Sequence, residues 1–368
     1  MKAANASVSV GLAMIVKDEA PRLARLAQSL DGVLDHWTIV DTGSSDDTVE
    51  VARQQFRGVP GSVIEDTWRG YGPSRNVALA EARQHSDFVM TLDADDTFHG
   101  TIDRDIPPDC DGVEAEYHVG ELRYWVPRLI RSTQPWEWRG RAHEYLTTVD
   151  ESFSLGRSET FHVVHHADGG NRATKFQREV DLLLADHEED PEDPRPVFYL
   201  ARNHDDIGDL AMATRYYRAR LRMRGWEEET WYAQWRLGCC LLATGWVDEG
   251  CGMLWRAWDA RPQRAEPLYT LAEYYRRTSQ WRLSFEACAL AGQYCDIGND
   301  APNVGGDRLF VHLDVYQWRI AYEQSISAFY VGHLELGRAL TDELLRRDDL
   351  PPDVVTTLEG NRRFYATP

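Results

Sequence analysis

Long hydrophobic segments are absent from this 368-residue sequence. A helix that crosses a bilayer needs about 20 consecutive apolar residues, and no run of that length occurs. The apolar stretch Val8–Val16 ends in charged residues without a small-residue cleavage site, so it predicts a buried strand rather than a signal peptide. We therefore expect a cytoplasmic protein without a membrane span.

Paired C-x-x-C cysteines are also absent. We interpret the six cysteines as reduced thiols that pack mostly in helices, and a structural zinc site is the alternative. They are Cys110, Cys239, Cys240, Cys251, Cys288 and Cys295.

Basic residues are too few to balance the acidic ones. Lysine and arginine total 40 against 60 aspartates and glutamates, which gives a net charge of -20. Nucleic-acid binding depends mainly on basic side chains that neutralise phosphates, so a nucleic-acid partner is disfavoured. A nucleotide substrate remains compatible with this charge, because a metal ion and a few local positive groups can hold a diphosphate.

Strand and helix patterns alternate over the first hundred residues. The predicted strands are Val8–Val16, Trp37–Val40, Ser62–Glu65 and Phe88–Leu92. Helices are predicted after the first three of them, the third over Pro73–Gln84. This alternation predicts a mostly parallel, Rossmann-like sheet, in which ligands bind beyond the carboxyl ends of the strands. We expect Lys17, Asp41 and Asp93 to meet at that edge.

Strand patterns without intervening helices follow, and they predict an extension of the sheet. They are Val113–Val119, Leu122–Ile130, Tyr145–Val149 and Thr160–Val164. An acidic, proline-bearing break at Glu188–Pro194 then predicts a domain boundary. We therefore expect an α/β domain over residues 1–190 and an all-α domain over residues 191–368.

The second half of the chain is repetitive. Three segments superpose with Gly208, Gly245 and Ser279 at the same turn, which are 37 and 34 residues apart. Tetratricopeptide repeats, which are helical hairpins, recur at about 34 residues. A weaker fourth copy surrounds Gly332, and a non-repeating helical bundle is the alternative.

Two acidic residues follow the fourth predicted strand. Asp93 and Asp95 would project to the same side of an extended backbone, where two carboxylates can hold a divalent cation that neutralises a diphosphate. A polar turn or a helix cap is the alternative interpretation of this tetrapeptide, Asp93–Asp96.

Two further polar residues stand near the same edge. Asp41 can accept hydrogen bonds from a base or ribose, or it can cap the turn that follows its strand. Arg75 falls in the predicted first turn of a helix, whose amide groups favour anions, and a surface or ion-pairing arginine is the alternative. Together with the acidic pair, these residues predict a nucleotide-diphosphate pocket.

Six motifs follow one another along the chain. They are LAMIVKDEAPRL, IVDTGSSDDTVEVA, GYGPSRNVALAEA, DFVMTLDADD, RLIRSTQPWEWRGRAHEYL and VVHHADGG. In these motifs and their order, the sequence resembles family 2 glycosyltransferases of the GT-A fold over about residues 8–300. More narrowly, it resembles the bacterial and phage branch with C-terminal tetratricopeptide repeats, which includes the peptide S-glycosyltransferases of glycocin biosynthesis.

The resemblance implies roles for individual residues. Asp95 would be the first metal ligand, and His165 is favoured over His166 as the histidine that contacts metal or diphosphate. In isolation, these histidines would more often be packed or surface residues. The residues implied in donor binding are Ala13, Ile15, Asp41, Arg75, Asp93 and His143.

The resemblance also implies the reaction. A hexose would pass, with inversion, from a nucleoside-diphosphate sugar to an acceptor, with UDP-sugars favoured and Mn²⁺ or Mg²⁺ as cofactor. Glu144 is the candidate general base on the acceptor side. A salt bridge from Glu144 to Arg139 or Arg141 is the structural alternative.

The helical repeats predict a protein or peptide acceptor, because stacked hairpins present extended surfaces suited to polypeptides. Inter-helix packing or homodimerisation are alternative uses of the repeats. The acceptor can also be a polysaccharide, a lipid or a small molecule, and an inactive interaction protein is a rival class. A sugar nucleotidyltransferase is less favoured, because the first loop lacks the glycine-rich pattern that cradles a triphosphate.

Overall fold

A computed structural model of the protein describes residues 8–120, 122–149, 151–168 and 175–365. The chain divides into two compact units, Met1–Glu189 and Asp190–Pro368. Two glycines of the last motif, Gly169 and Gly170, lie outside the described residues. Within the ranges described, we find no helix with the length and apolar character needed to cross a membrane.

The first unit is built on a mixed sheet. Its strands in chain order are β1 Val10–Val16, β2 His36–Asp41, β3 Gly61–Glu65, β4 Phe88–Thr91, β5 Asp96–Gly100, β6 Gly112–Val119, β7 Leu122–Arg131, β8 Trp136–Arg139, β9 Tyr145–Thr148 and β10 Leu155–His165. Eight of them form one sheet in the order β3-β2-β1-β4-β7-β6-β10-β5, and β8 and β9 form a separate hairpin. The first four strands are parallel, and β7 joins β4 in the antiparallel direction.

Helices cover both faces of the parallel part. The helices of this unit are α1 Ala20–Ser29, α2 Thr48–Gln55, α3 Tyr71–Ala82 and α4 Lys175–Glu189. Leu12 and Met14 of β1 belong to the same buried cluster as the apolar residues of α1, whereas Ala13 packs in the cluster of α3. This two-sided burial explains why β1 is a continuous apolar run rather than an alternating one.

The predicted α/β sheet followed by a helical-repeat region is confirmed. The expectation that Tyr145–Val149 extends the sheet was wrong, because β9 pairs with β8 in the separate hairpin. Two short strands, β5 and β8, were not predicted. Each has only four or five residues, Trp136–Arg139 and Asp96–Gly100, and each contains charged side chains. Asp96–Gly100 has no apolar alternation, and the alternation of Trp136–Arg139 spans only four residues, which is too short to identify a strand.

The second unit consists of helices that pack as successive hairpins. They are α5 Pro194–Asp206, α6 Leu210–Arg220, α7 Glu227–Ala243, α8 Val247–Ala260, α9 Glu266–Arg277, α10 Trp281–Tyr294, α11 Ile320–Val331, α12 Leu334–Leu344 and α13 Pro352–Arg362. The helices pair as α5 with α6, α7 with α8, α9 with α10, and α11 with α12, and each hairpin also contacts the next. A π-helical turn, Val315–Arg319, leads into α11.

The hairpin turns share one backbone feature. Gly208, Gly245, Ser279 and Gly332 have φ angles of 79°, 86°, 60° and 87°, all in the left-handed region. A left-handed residue is a common way to end a helix before a reversal, and glycine adopts it most readily. The four positions aligned in the sequence are therefore equivalent turns. The fourth lies 53 residues after the third, because a long segment separates α10 from α11.

Candidate active site

Asp41 ends β2 and is only 5% exposed. Its carboxylate accepts hydrogen bonds from the backbone N–H groups of Gly43 and Ser44, each at 3.1 Å, and from the Ser44 hydroxyl. Asp41 therefore holds the turn after β2, which is one of the two roles that the sequence left open. Its contact with a base or ribose stays a prediction.

The three aspartates after β4 lie in a tight turn. The N–H of Asp96 donates to the carbonyl oxygen of Asp93 at 3.0 Å, and the N–H of Asp93 donates to the Asp96 carboxylate at 2.9 Å. The extended backbone expected over Asp93 and Asp95 was therefore wrong. The turn, rather than the alternation of a strand, brings these carboxylates together, because its i to i+3 hydrogen bond reverses the chain.

His165, the last residue of β10, lies beside this turn. Strand pairing places it opposite Asp96, and its Nδ1 is 2.9 Å from Oδ1 of Asp96 and 3.6 Å from Oδ1 of Asp95. Asp96 is fully buried and also accepts a hydrogen bond of 2.8 Å from the Tyr117 hydroxyl. The hydrogen bond to Asp96 and the surrounding carboxylates raise the pKa of His165, although burial opposes the shift.

A divalent cation fits these side chains. Asp93, Asp95, Asp96 and His165 each offer one ligand atom, and the four atoms lie within 4.8 Å of one another. Carboxylate oxygens suit Mg²⁺ and Mn²⁺, and an imidazole nitrogen is a further ligand that Mn²⁺ accepts. The donor set therefore agrees with the kind of cofactor expected from the sequence.

Arg75 joins this acidic group to a second carboxylate. Its guanidinium donates one hydrogen bond of 2.6 Å to Asp93 and another of 2.7 Å to Glu144. Burial lowers the pKa of Arg75, but Asp93 and Glu144 more than offset this effect and raise it. Burial raises the pKa of Asp93. The positive charges of Arg75 and Arg128 outweigh burial, so the pKa of Asp93 lies below its ordinary value.

Glu144 forms a salt bridge with neither Arg139 nor Arg141, the two partners that the sequence suggested. Arg139 pairs with Glu137 and Glu151, and Arg141 pairs with two acidic residues of α4. Glu144 instead pairs with Arg75, which lies in the second turn of α3 because this helix begins at Tyr71, two residues earlier than predicted. The expected first-turn position of Arg75 was therefore wrong.

A small cavity adjoins the ion pair. It is lined by Ala13, Met14, Arg75, Ala78, Thr91 and Trp138. The Arg75 guanidinium lies 5.2 Å from the centre of the Trp138 ring. Ile15 lies on the same face of β1 as Ala13, because strand side chains alternate. The structure thus brings Ala13 and Arg75 together, and the role of Ala13 and Ile15 in base binding stays a prediction.

Two other histidines lie in different surroundings. The Nε2 atom of His143 is 3.7 Å from a carboxylate oxygen of Glu179 on α4, so its donor-binding role stays a prediction. The His166 ring is 3.0 Å from the Thr97 hydroxyl. Of the two adjacent histidines, His165 is the one in the acidic group, and its contact with metal or diphosphate stays a prediction.

Sequence reasoning missed two buried residues that support the site. The Arg128 guanidinium lies 4.1 Å from the centre of the Tyr117 ring and donates to the carbonyl oxygen of Thr91 at 3.2 Å. Arg128 is 8% exposed. The sequence places Arg128 inside the apolar run of β7. A buried arginine requires anionic or carbonyl partners, so this position indicated a residue that contacts other groups of the site.

Residues 12–102 match the family model described as Glycosyl transferase family 2. The similarity to this family thus lies within the first unit. The segment includes Asp41, Arg75 and the Asp93–Asp96 turn, and it ends before Glu144 and His165. Glu144 and His165 lie in the part of the chain that follows the matched segment. Glu144 belongs to the β8–β9 hairpin, and His165 is the last residue of β10.

Relatives match both parts of the chain. A TPR repeat-containing protein from Synechococcus elongatus is 27% identical over 243 residues, or 59% of this chain and 57% of the relative. An uncharacterized glycosyltransferase from Rickettsia felis is 32% identical over 118 residues, or 32% of this chain and 38% of the relative. This chain thus spans less than two thirds of either relative.

One solved structure is that of YrrB, described as a TPR protein with an unusual peptide-binding site. It is similar to this chain at 14% sequence identity and a TM-score of 0.37, over 51% of this chain and 88% of YrrB.

Proposed function

We propose that this protein is a metal-dependent, inverting glycosyltransferase that transfers a hexose from a nucleoside-diphosphate sugar to a protein or peptide. The observation that carries the proposal is the convergence of Asp93, Asp95, Asp96 and His165 within 4.8 Å, directly after β4. In a parallel sheet this is the edge where ligands bind. The same edge lies in and beside the segment that matches the glycosyltransferase family.

The donor would bind on the side of Ala13, Ile15 and Asp41. Asp95 and His165, with Asp93 and Asp96, would hold Mn²⁺ or Mg²⁺, which when bound neutralises charge on the leaving diphosphate. Asp96 is fully buried and contacts His165 at 2.9 Å, so it also orients the imidazole. Arg75 and His143 would also bind the donor, and Asp93 would contact it as well as the metal. UDP-sugars are the donors that we favour.

The acceptor would approach Glu144. Its carboxylate is oriented by the 2.7 Å hydrogen bond from Arg75 and is 12% exposed. A carboxylate that removes the proton of an attacking hydroxyl or thiol must come within about 3 Å of that group in the bound complex. Attack from the face opposite the leaving diphosphate inverts the anomeric carbon.

The helical hairpins of the second unit support a polypeptide acceptor, because such arrays present long surfaces to extended chains. The narrower assignment to the glycocin peptide S-glycosyltransferase branch, in which a cysteine thiol is the acceptor, is part of this proposal. It predicts that a cysteine-containing peptide is a better acceptor than a free monosaccharide.

A donor screen tests the proposal. The protein is mixed with UDP-, GDP- and dTDP-sugars, with Mn²⁺ or with a chelator, and both Tm and released nucleoside diphosphate are measured. A ligand that binds only the folded protein raises Tm. We expect one donor class to raise Tm and to release diphosphate only with metal. Binding without turnover would favour an inactive interaction protein, and pyrophosphate release from a nucleoside triphosphate would favour a nucleotidyltransferase.

A further inference from the structure

The segment between α10 and α11 folds back onto the helical hairpins. We call residues 304–312 of this segment the strap. The Phe310 ring of the strap lies against two helices: the Arg202 guanidinium of α5 is 3.8 Å from its centre, and the Tyr232 ring of α7 meets it edge-on at 5.1 Å. One aromatic side chain thus fills a position between two consecutive hairpins.

The end of the strap continues across the next helices. The His312 ring meets Trp235 of α7 edge-on at 4.9 Å, and the N–H of His312 donates to Glu266 of α9 at 3.3 Å. The strap therefore contacts α5, α7 and α9. These are the first helices of three consecutive hairpins, and α7 contacts both α5 and α9.

Charged side chains bind the main chain of the strap. Glu228 of α7 accepts hydrogen bonds of 2.7 Å from the N–H groups of both Arg308 and Leu309. Arg264 donates to the carbonyl oxygens of Leu309 at 3.4 Å and Phe310 at 3.3 Å. Recognition of consecutive backbone groups together with one aromatic side chain is typical of a bound peptide.

Contacts outside the strap also hold the residues that bind it. Arg264 and Glu266 are both fully buried and form an ion pair at 2.8 Å, and the Tyr316 hydroxyl donates to Glu266 at 2.9 Å. The strap, by contrast, includes an unfavourable conformation. Phe310 has a φ of 43°, in a region that residues with a Cβ atom rarely adopt. A peptide without this constraint can present the same ring at a smaller conformational cost.

We propose that the row of α5, α7 and α9 is a peptide-binding groove and that the strap is its internal competitor. The partner is an extended peptide with the pattern Asp-x-Leu-Phe, as in Asp307–Phe310. Asp307 marks the acidic position, since its carboxylate pairs with Arg261 and Arg264. This inference depends on the proposed function in one respect, which is that the natural ligand of the groove is a peptide acceptor.

Peptide binding without any donor tests the groove, so its failure is distinct from failure of the proposed glycosyl transfer. The probe is the acetylated synthetic peptide VGGDRLFVH, which has the sequence of residues 304–312, and its Kd is measured by calorimetry on the full chain. Phe310→Ala weakens only the tethered copy. A tethered segment competes at an effective concentration of about millimolar, so weakening it should lower the apparent Kd at least tenfold.

Two further variants complete the test. Arg202→Ala removes a contact that both copies of the sequence share, so it should weaken binding at least threefold in the Phe310→Ala background. Phe364→Ala, a substitution of an exposed phenylalanine outside the strap, should leave Kd unchanged. If the folded Phe310→Ala protein binds the peptide no better than the parent, the strap is a permanent part of the fold and the proposal is overturned.

Hydrogen exchange on the parent protein covers the case in which Phe310→Ala does not fold. We expect the Leu309 amide to exchange at least 100-fold faster than the buried amides of α7, and the added peptide to change its exchange rate. The proposal would likewise be overturned if the Leu309 amide exchanged only as fast as the buried amides of α7, both with and without the peptide.

Discussion

Arg75 and Glu144, which are 69 residues apart in the sequence, form an ion pair at 2.7 Å. The same guanidinium contacts Asp93 at 2.6 Å. One arginine therefore connects the carboxylate group that fits a cation with the residue that we propose as general base. This arrangement predicts that changes at Arg75 affect both halves of the reaction.

Arg75→Gln should lower the free energy of unfolding by about 3 kcal/mol, because two partly buried carboxylates lose their positive partner. Turnover should also fall at least tenfold. Chemical denaturation and diphosphate release measure the two effects. Arg69→Gln is the control, since Arg69 forms an exposed pair with Asp66 that should contribute less than about 1 kcal/mol. Parental turnover in Arg75→Gln would refute the proposed role.

Asp95→Asn should weaken Mn²⁺ binding at least tenfold and abolish metal-dependent turnover, because it removes one negative ligand from the group of four. The Tm without metal should remain within a few degrees of the parent, since no core volume is lost. Calorimetric titration with Mn²⁺ measures the affinity. Asp31→Asn, at an exposed position, is the control. Unchanged Mn²⁺ affinity in Asp95→Asn would remove Asp95 from the proposed site.

Glu144→Gln should retain donor affinity and lower the transfer rate by a factor of about 100 or more, which is the usual contribution of a general base. The amide can still accept a hydrogen bond from Arg75, so the local structure should persist. Transfer assays and donor titration separate the two properties. A parental transfer rate would dismiss Glu144 as the base.

Ser279→Gly should raise the free energy of unfolding by about 0.5–1 kcal/mol. Ser279 has a φ of 60° at a turn where the other three hairpins have glycine. Relief of the left-handed strain, about 1–2 kcal/mol, exceeds the extra entropy that glycine gives the unfolded chain. The matched change Gly245→Ser should lower stability by about 1 kcal/mol. Equal stabilities of both variants and the parent would contradict this account of the turns.

The parallel strands could be predicted because their signal is local. Burial on both faces makes β1 and β4 continuous apolar runs, and the polar residues that follow them mark the carboxyl edge of the sheet. The hairpin turns were recognisable for a similar reason, since glycine recurs where the backbone is left-handed. The helical-repeat region follows from that recurrence.

Contacts between distant residues could not be predicted. The pairing of Glu144 with Arg75 depends on how the β8–β9 hairpin packs against α3, and nothing near Glu144 in the sequence distinguishes Arg75 from Arg139 or Arg141. The strap could not be recognised from the sequence either. Much of its binding uses backbone groups, which every residue carries, so its sequence has no periodicity that marks it.

Metal-dependent release of nucleoside diphosphate from a nucleotide sugar tests the central claim most directly. The parent and Asp95→Asn proteins are assayed with UDP-, GDP- and dTDP-sugars, a cysteine-containing peptide, and either Mn²⁺ or a chelator. We predict that the parent releases diphosphate from one donor class with Mn²⁺, and that chelation or Asp95→Asn abolishes the release. Equal release by both proteins with and without chelator, or no release from any donor by the folded parent, would contradict the account.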